Sequence, residues 1–353
     1  PGYDHFTPVF GGNYSISTIT LNKYSFLKDD QAGTHNSTIF DNYMNMRSDY
    51  SNLLAQGNKN SQFRNPITGF HDGYDGNQQE VVIGAFISAY TGHKTASSQN
   101  TGNNMFKKIP LPGWNLTYDG LGKMPSVKKY FKSVVLTHGY RSTLSYGSYT
   151  NNQAYGVNHN ARVSQDSISG PTSNFVSQYV MNTVTVSESF SPLIKVNFMF
   201  VDKGKIKGLG ANFEIKRDHI STLSSNVPQV MDLHSSEYNI GATYTLPQVE
   251  IKRLKIRGKP LKSDLLSTVT LSFRQTQTAL RKVISDEQGG DIQASQISAG
   301  QNITTIKVSL TYSLTQNVNL RIYYDRTINK PVISTSFPTQ TTNAGLSLRF
   351  VIQ

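Results

Sequence analysis

Thr305-Ile306-Lys307-Val308-Ser309-Leu310-Thr311-Tyr312-Ser313-Leu314 decides the fold, because apolar and polar side chains alternate through it without a break. Successive side chains of an extended strand point to opposite faces. Ile306, Val308, Leu310, Tyr312 and Leu314 therefore share one face, and Thr305, Lys307, Ser309, Thr311 and Ser313 the other. Downstream, Val318, Leu320, Ile322 and Tyr324 alternate with Asn319, Arg321, Tyr323 and Asp325, and Ala344, Leu346, Leu348, Phe350 and Ile352 with Gly345, Ser347 and Arg349. Upstream, the same rhythm gives Ile194, Val196, Phe198 and Phe200, then Leu209, Ala211, Phe213 and Ile215 opposite Asn212, Glu214 and Lys216, then Tyr238, Ile240, Ala242, Tyr244 and Leu246. Weaker candidates cover residues 13–27, 130–149, 178–190 and 264–280. The total is about ten or eleven strands.

Many of these runs have the ~9–11 residues that cross a bilayer obliquely. A soluble β-sandwich also alternates, but its strands average ~5–6 residues and hide the apolar side in a dry core. Strand length therefore favours an all-β, transmembrane antiparallel β-barrel segment. Composition agrees: 16% charged and 37% hydrophobic residues fall below soluble averages, while 19 Tyr, 17 Phe and 27 Gly suit strands with one face toward lipid and one toward a wet lumen. On that reading Lys195, Lys216, Lys307, Arg321 and Arg349 face the lumen. No run approaches the ~20 apolar residues of a membrane-spanning helix. Pro1 to Gly11 lacks the basic start and apolar run of a signal peptide, as a processed chain or a fragment would.

The alternation breaks between Thr38 and Thr95. Ile39, Phe40, Tyr43, Met46, Tyr50, Leu53 and Leu54 recur at three- and four-residue steps, which predicts an amphipathic helix ending near Gly57. Val81 to Tyr90 fits a second short helix or a buried strand. An insert of helical and loop character over about residues 38–112 follows, and it must sit outside the hydrocarbon zone or within the lumen. Polar, turn-rich loops are expected at Gly57–Gly76, Ser97–Asn104, Asn151–Ser173 and Ser285–Gly300. Barrels place such long loops on the extracellular side and tight turns on the other rim.

The residues offer little chemistry. With no cysteine, disulfides, thiolate metal sites and cysteine nucleophiles are excluded. His5, His35, His71, His93, His138, His159, His219 and His234 form no metal-ligand spacing, and His138 reads as a hydrogen-bonded strand histidine. There is no GxSxG motif, and Gly204 to Gly210 lacks the order of a phosphate-binding loop, so no catalytic, cofactor-binding or metal-binding residue is assigned and the chain is not read as an enzyme. The net charge of +12 is dispersed, with local clusters such as Lys252, Arg253, Lys255 and Arg257, so nucleic acid is not an expected partner. Trp114, the sole tryptophan, lies in a run from Pro110 to Leu121 rich in proline and glycine. With Tyr118 it is a candidate rim anchor or plug-packing motif, since Trp and Tyr favour the membrane boundary.

Several separated signatures carry a resemblance. They are Ile16-Ser17-Thr18-Ile19-Thr20-Leu21, Phe40-Asp41-Asn42-Tyr43 leading to Arg47, Ala85-Phe86 with Ala89-Tyr90-Thr91-Gly92, the Trp114 run, and His138-Gly139-Tyr140-Arg141-Ser142. Near the end come Tyr324-Asp325, Asn329-Lys330-Pro331, Ser334-Thr335-Ser336-Phe337-Pro338 and Gly345-Leu346-Ser347-Leu348-Arg349-Phe350. In order and spacing they resemble the C-terminal part of the SprA (Sov) family, the outer-membrane translocons of the Bacteroidota type IX secretion system. The resemblance implies a wall section of a single-chain barrel larger than this chain could close, conducting folded cargo and supporting gliding motility. It further implies the remainder of the barrel polypeptide, plug, shuttle and gating proteins, secreted cargo and outer-membrane lipid as partners. It carries over no catalytic residue and no cofactor. The alternative is a stand-alone porin or nutrient transporter, which requires the strand near Ile16 to pair with that near Leu348.

Overall fold

The computed structural model describes residues 8–21, 37–162, 174–202, 208–225, 229–256, 259–285, 291–315, 317–333 and 336–350, with side chains omitted over 252–261 and 283–294. The strands are β1 (Gly11–Thr18), β2 (Trp114–Tyr118), β3 (Phe131–Asn151), β4 (Tyr179–Val180), β5 (Thr183–Phe200), β6 (Gly210–Ser224), β7 (Gln229–Ile256), β8 (Lys259–Ser285), β9 (Asp291–Thr315), β10 (Val318–Pro331) and β11 (Thr339–Phe350). All join one 11-stranded antiparallel sheet in the order β1-β3-β5-β6-β7-β8-β9-β10-β11, with β2 and β4 also on β3. Among the described residues β11 pairs only with β10 and β1 only with β3, so the sheet is open.

β1 and β2 occupy one edge of β3 in tandem. Thr18 lies opposite Ser142, Trp114 lies opposite Tyr140, and Leu111 N donates to Ser17 O at 2.9 Å. They are two halves of one strand, interrupted by the helical insert. Its main helices are α1 (Thr38–Gln56), whose Ser37 Oγ accepts from Phe40 N at 3.4 Å, and α2 (Gln79–Tyr90), whose Gln78 side chain accepts from Val81 N at 3.0 Å. These side chains satisfy amide groups left open at each helix start. Val81 through Tyr90 is buried on every side, as a helix apolar all round must be. α1 covers it closely, because a Cβ on Gly84 would stand 2.5 Å from the Tyr50 ring. Short helices α3 (Pro125–Lys128) and α4 (Gln153–Val157) lie in connections.

The structure makes Val81–Tyr90 a helix and merges two expected strands: residues 178–190 and 194–200 belong largely to β5, whose register shifts between Phe190 and Ile194. That irregularity at Ser191-Pro192 had separated the two runs in the sequence. The loop expected at Ser285–Gly300 is a correction, since β9 begins at Asp291. There the polar composition hides the alternation, and the backbone ladder with β8, pairing Arg281 with Ser295 and Ile284 with Ile292, holds the chain extended. The first candidate, residues 13–27, is a strand only to Thr18, and residues 22–27 lie outside the described residues.

Candidate functional site: a two-faced wall

The register sorts side chains across the whole sheet. Phe198, Ala211, Ala242, Val269, Val308, Tyr324 and Ala344 form one continuous cross-strand row. One residue along each strand, Asn197, Asn212, Gly241, Thr270, Lys307, Asp325 and Asn343 form the next, on the opposite face. The first face carries an apolar belt that none of the described residues covers: Ile240 is 46% exposed, Phe273 46%, Ile322 48% and Leu346 63%. A dry-core sandwich would bury such residues under a second sheet.

Lys195, Lys216, Lys307, Arg321 and Arg349 all fall on the polar face, by the same register. Lys195 Nζ lies 3.6 Å from Glu214 Oε1, and Lys216 Nζ lies 3.6 Å from Glu214 Oε2 and 3.4 Å from Glu237 Oε1. Asn239 Nδ2 donates to Glu237 Oε1 at 2.6 Å and Glu214 Oε2 at 3.2 Å. Lys307 stands across from Asp325, Arg321 lies over the Tyr323 ring at 5.9 Å, and Arg349 stands across from Asn319. Charges of both signs are thus interleaved. Such part-exposed pairs add little stability, but they keep this stretch of the face wet; further along the same face Ile220, Met231, Leu233 and Leu280 register together, with Met231 42% and Ile220 37% exposed.

Trp114 and Tyr118 belong to the wall, not to the packed helices. Trp114 stacks on Tyr140 with ring centroids 4.5 Å apart at 28°, and Tyr140 meets Phe190 at 5.1 Å. The row lies on the apolar face where the belt gives way to the insert. Beside it, the Tyr140 hydroxyl accepts from Thr20 N at 3.0 Å and donates to Glu188 Oε1 at 3.1 Å, and Thr20 Oγ1 lies 2.9 Å from Ser142 Oγ. This buried polar knot fixes where the chain leaves β1. His138 Nδ1 lies 2.7 Å from Leu193 O, inside the β5 irregularity.

No protein-family model matches the sequence, and no curated protein matches it.

The insert covers the far half of the apolar face. Its core joins Phe40, Tyr43, Tyr50 and α2 to Leu144, Tyr146, Val184, Val186, Leu223 and Val230, which register on the same face as the belt. The same face is therefore apolar over the belt and under the insert core, with Glu188, His219, Asp232 and His234 registering on it between the two, and among the described residues helices cover one half and leave the other bare.

A polar contact that sequence reasoning missed ties the helices to the wall. Asp232 is 2% exposed; its Oδ2 accepts from Arg281 Nε at 2.9 Å and from the Tyr90 hydroxyl at 3.1 Å, and its Oδ1 accepts from Ser221 Oγ at 2.6 Å. His219 Nε2 lies 3.0 Å from Ser221 Oγ, and the His219 and His234 rings stack at 4.1 Å. The serine bonds the carboxylate directly, so the order nucleophile, base, carboxylate needed for serine activation is not what these atoms form. Tyr90 comes from the insert and the other residues of this cluster from β6, β7 and β8, a distance in sequence that no local motif announces. A bidentate pair joins the insert to the connection between α4 and β4: Arg162 Nη1 and Nη2 donate to Asp72 Oδ1 and Oδ2 at 2.9 and 2.8 Å. The Arg162 hydrogen bonds, and then its charge, hold the Asp72 carboxyl below its ordinary range despite burial. Burial pushes Glu80 above the usual range, against the hydrogen bond from Gln178 N.

Proposed function

We propose that this chain is a wall section of an outer-membrane β-barrel that conducts proteins, a translocon of the type IX secretion kind. The observation that carries the membrane part is the exposed apolar belt backed by a continuous polar face. A bilayer covers such a belt and a water-filled lumen solvates such a back. The interleaved Lys and Glu side chains give the polar face hydrogen-bonding capacity opposite the belt, which suits passage of a protein surface. The open sheet supports a barrel completed by further strands outside this chain over a small porin, which would join β1 to β11. The SprA-like signatures supply the secretion part of the proposal, the shuttle, plug and gating partners, and the link to gliding.

The test is removal of the polypeptide carrying this sequence from its host, read in two ways. Loss of proteins from the medium with small-solute uptake intact is the expected result. An unchanged set of secreted proteins with impaired uptake of one solute would replace the translocon by the porin or nutrient transporter. In isolated outer membranes, an unboiled and boiled mass several times 39.2 kDa fits the larger barrel.

A further inference from the structure

The end of the sheet away from the insert carries a feature that the wall does not need for strand pairing. Between β2 and β3 the chain makes a 3₁₀ turn (Gly120–Lys123) and α3, both packed against the start of β3. Lys123, Lys128, Lys129 and Lys132 are all exposed there. Lys132 is the extra residue of a register shift between Phe131 and Ser133, which turns it out of the ladder. The carboxylates nearby are Asp119, 3.4 Å from Lys123 Nζ, and Asp202, which accepts from Gly208 N at 2.8 Å. The lysines outnumber them.

Apolar side chains stand exposed within and beside this basic cluster: Leu116, Tyr118, Met124 and Tyr130. Leu116 and Tyr118 register with His138 and Leu136 on the apolar face, so the cluster continues the belt at its margin. At a membrane boundary, tyrosine sits at headgroup level and lysine reaches out to anionic phosphate. The two shortest connections lie at this rim, Ile256 to Lys259 and Thr315 to Val318, whereas Asn151 to Thr183 and the insert lie toward the other, together with the link from Ser224 to Gln229. Tight turns mark the periplasmic rim of outer-membrane barrels.

We propose that Lys123, Lys128, Lys129 and Lys132, with Met124 and Tyr130, bind the phosphate headgroups of anionic phospholipid in the periplasmic leaflet. The inference rests on the apolar face being the lipid face.

The sequence holds no cysteine, so a single Ser126→Cys in the intact polypeptide, given a fluorescent label, reports from the middle of the cluster. The labelled protein is reconstituted in phosphatidylcholine vesicles containing either spin-labelled phosphatidylglycerol or spin-labelled phosphatidylcholine at equal fraction. Phosphatidylglycerol should quench several-fold more effectively, and the preference should vanish when the four lysines are replaced by Gln and weaken in high salt. A control label at Ile240→Cys, in the belt, should be quenched by both lipids alike. Equal quenching by the two lipids at Ser126→Cys overturns the proposal. So does absence of quenching there while the control is quenched, an outcome that turns the cluster toward a periplasmic protein. If the control is not quenched either, the reading of the belt itself fails.

Discussion

Trp114 lies against Tyr140 at 4.5 Å and 28°, and that contact joins the second half of an interrupted strand to the strand both halves share. Offset aromatic pairs contribute about 0.5–1.5 kcal/mol beyond area burial. Trp114→Ala should lower stability by about 1 kcal/mol or somewhat more, and Trp114→Phe by less because the stack persists. The denaturant midpoint of the heat-modifiable band measures both. Equal loss in the two variants would show that indole packing elsewhere, not the stack, is what matters.

Gly84 leaves room for the Tyr50 ring, and Tyr50 in turn holds Ser88 Oγ at 2.6 Å from its hydroxyl. Gly84→Ala forces that ring away and separates α1 from α2, at a loss of about 1–3 kcal/mol. Amide exchange should speed up in both helices and leave β8 to β10 unchanged. A uniform increase across the sheet would mean that helices and wall unfold as one unit.

Asp232 neutralises Arg281 where both are almost fully buried. Asp232→Ala should cost about 3–5 kcal/mol because a buried guanidinium loses its carboxylate, whereas Tyr90→Phe should cost about 0.5–1.5 kcal/mol. Limited proteolysis should release the insert in the first variant and barely affect the second. Comparable resistance in both would remove Asp232 from the attachment of the helices.

The insert should weaken from both directions of pH. Asp72 titrates below its unfolded value, so its contribution is present above about pH 4 and is lost as the pH falls through the depressed folded value. Asp72→Asn should flatten that acid limb and remove about 1 kcal/mol at neutral pH. Glu80 has the opposite sign: its raised folded value makes a contribution that is complete below about pH 4 and lost as the pH rises through the folded value. Glu80→Gln should therefore stabilise α2 at neutral pH. Thermal midpoints at pH 3, 5 and 7, all of them roughly spaced choices, read both effects.

The strands with one bare face were legible because their alternation is undiluted. Ile306 to Leu314 and Val318 to Tyr324 are found where the periodicity put them. Legibility failed where environment changes along a strand. The insert half of β7 carries Asp232, His234 and Ser236 on the face that lower down carries Tyr238 and Ile240, so the apolar stripe starts late and the strand looked short. Grouping Lys195, Lys216, Lys307, Arg321 and Arg349 on one face needed only parity within each strand. The Asp232 attachment needed residues from β6, β7, β8 and α2 together, and no spacing rule connects those.

A crossing assembled from Gly11–Thr18 and Trp114–Tyr118 has a consequence for biogenesis. Its second half is joined to β3 by the short stretch from Asp119 to Tyr130 and can zip onto it as a hairpin, whereas Gly11–Thr18 reaches β3 only by closing a loop over the whole insert, which is slow. Until then part of β3 presents an open backbone edge at which a chaperone or a foreign strand could dock. The helices thus act as a timer: their folding sets the moment at which that edge is sealed.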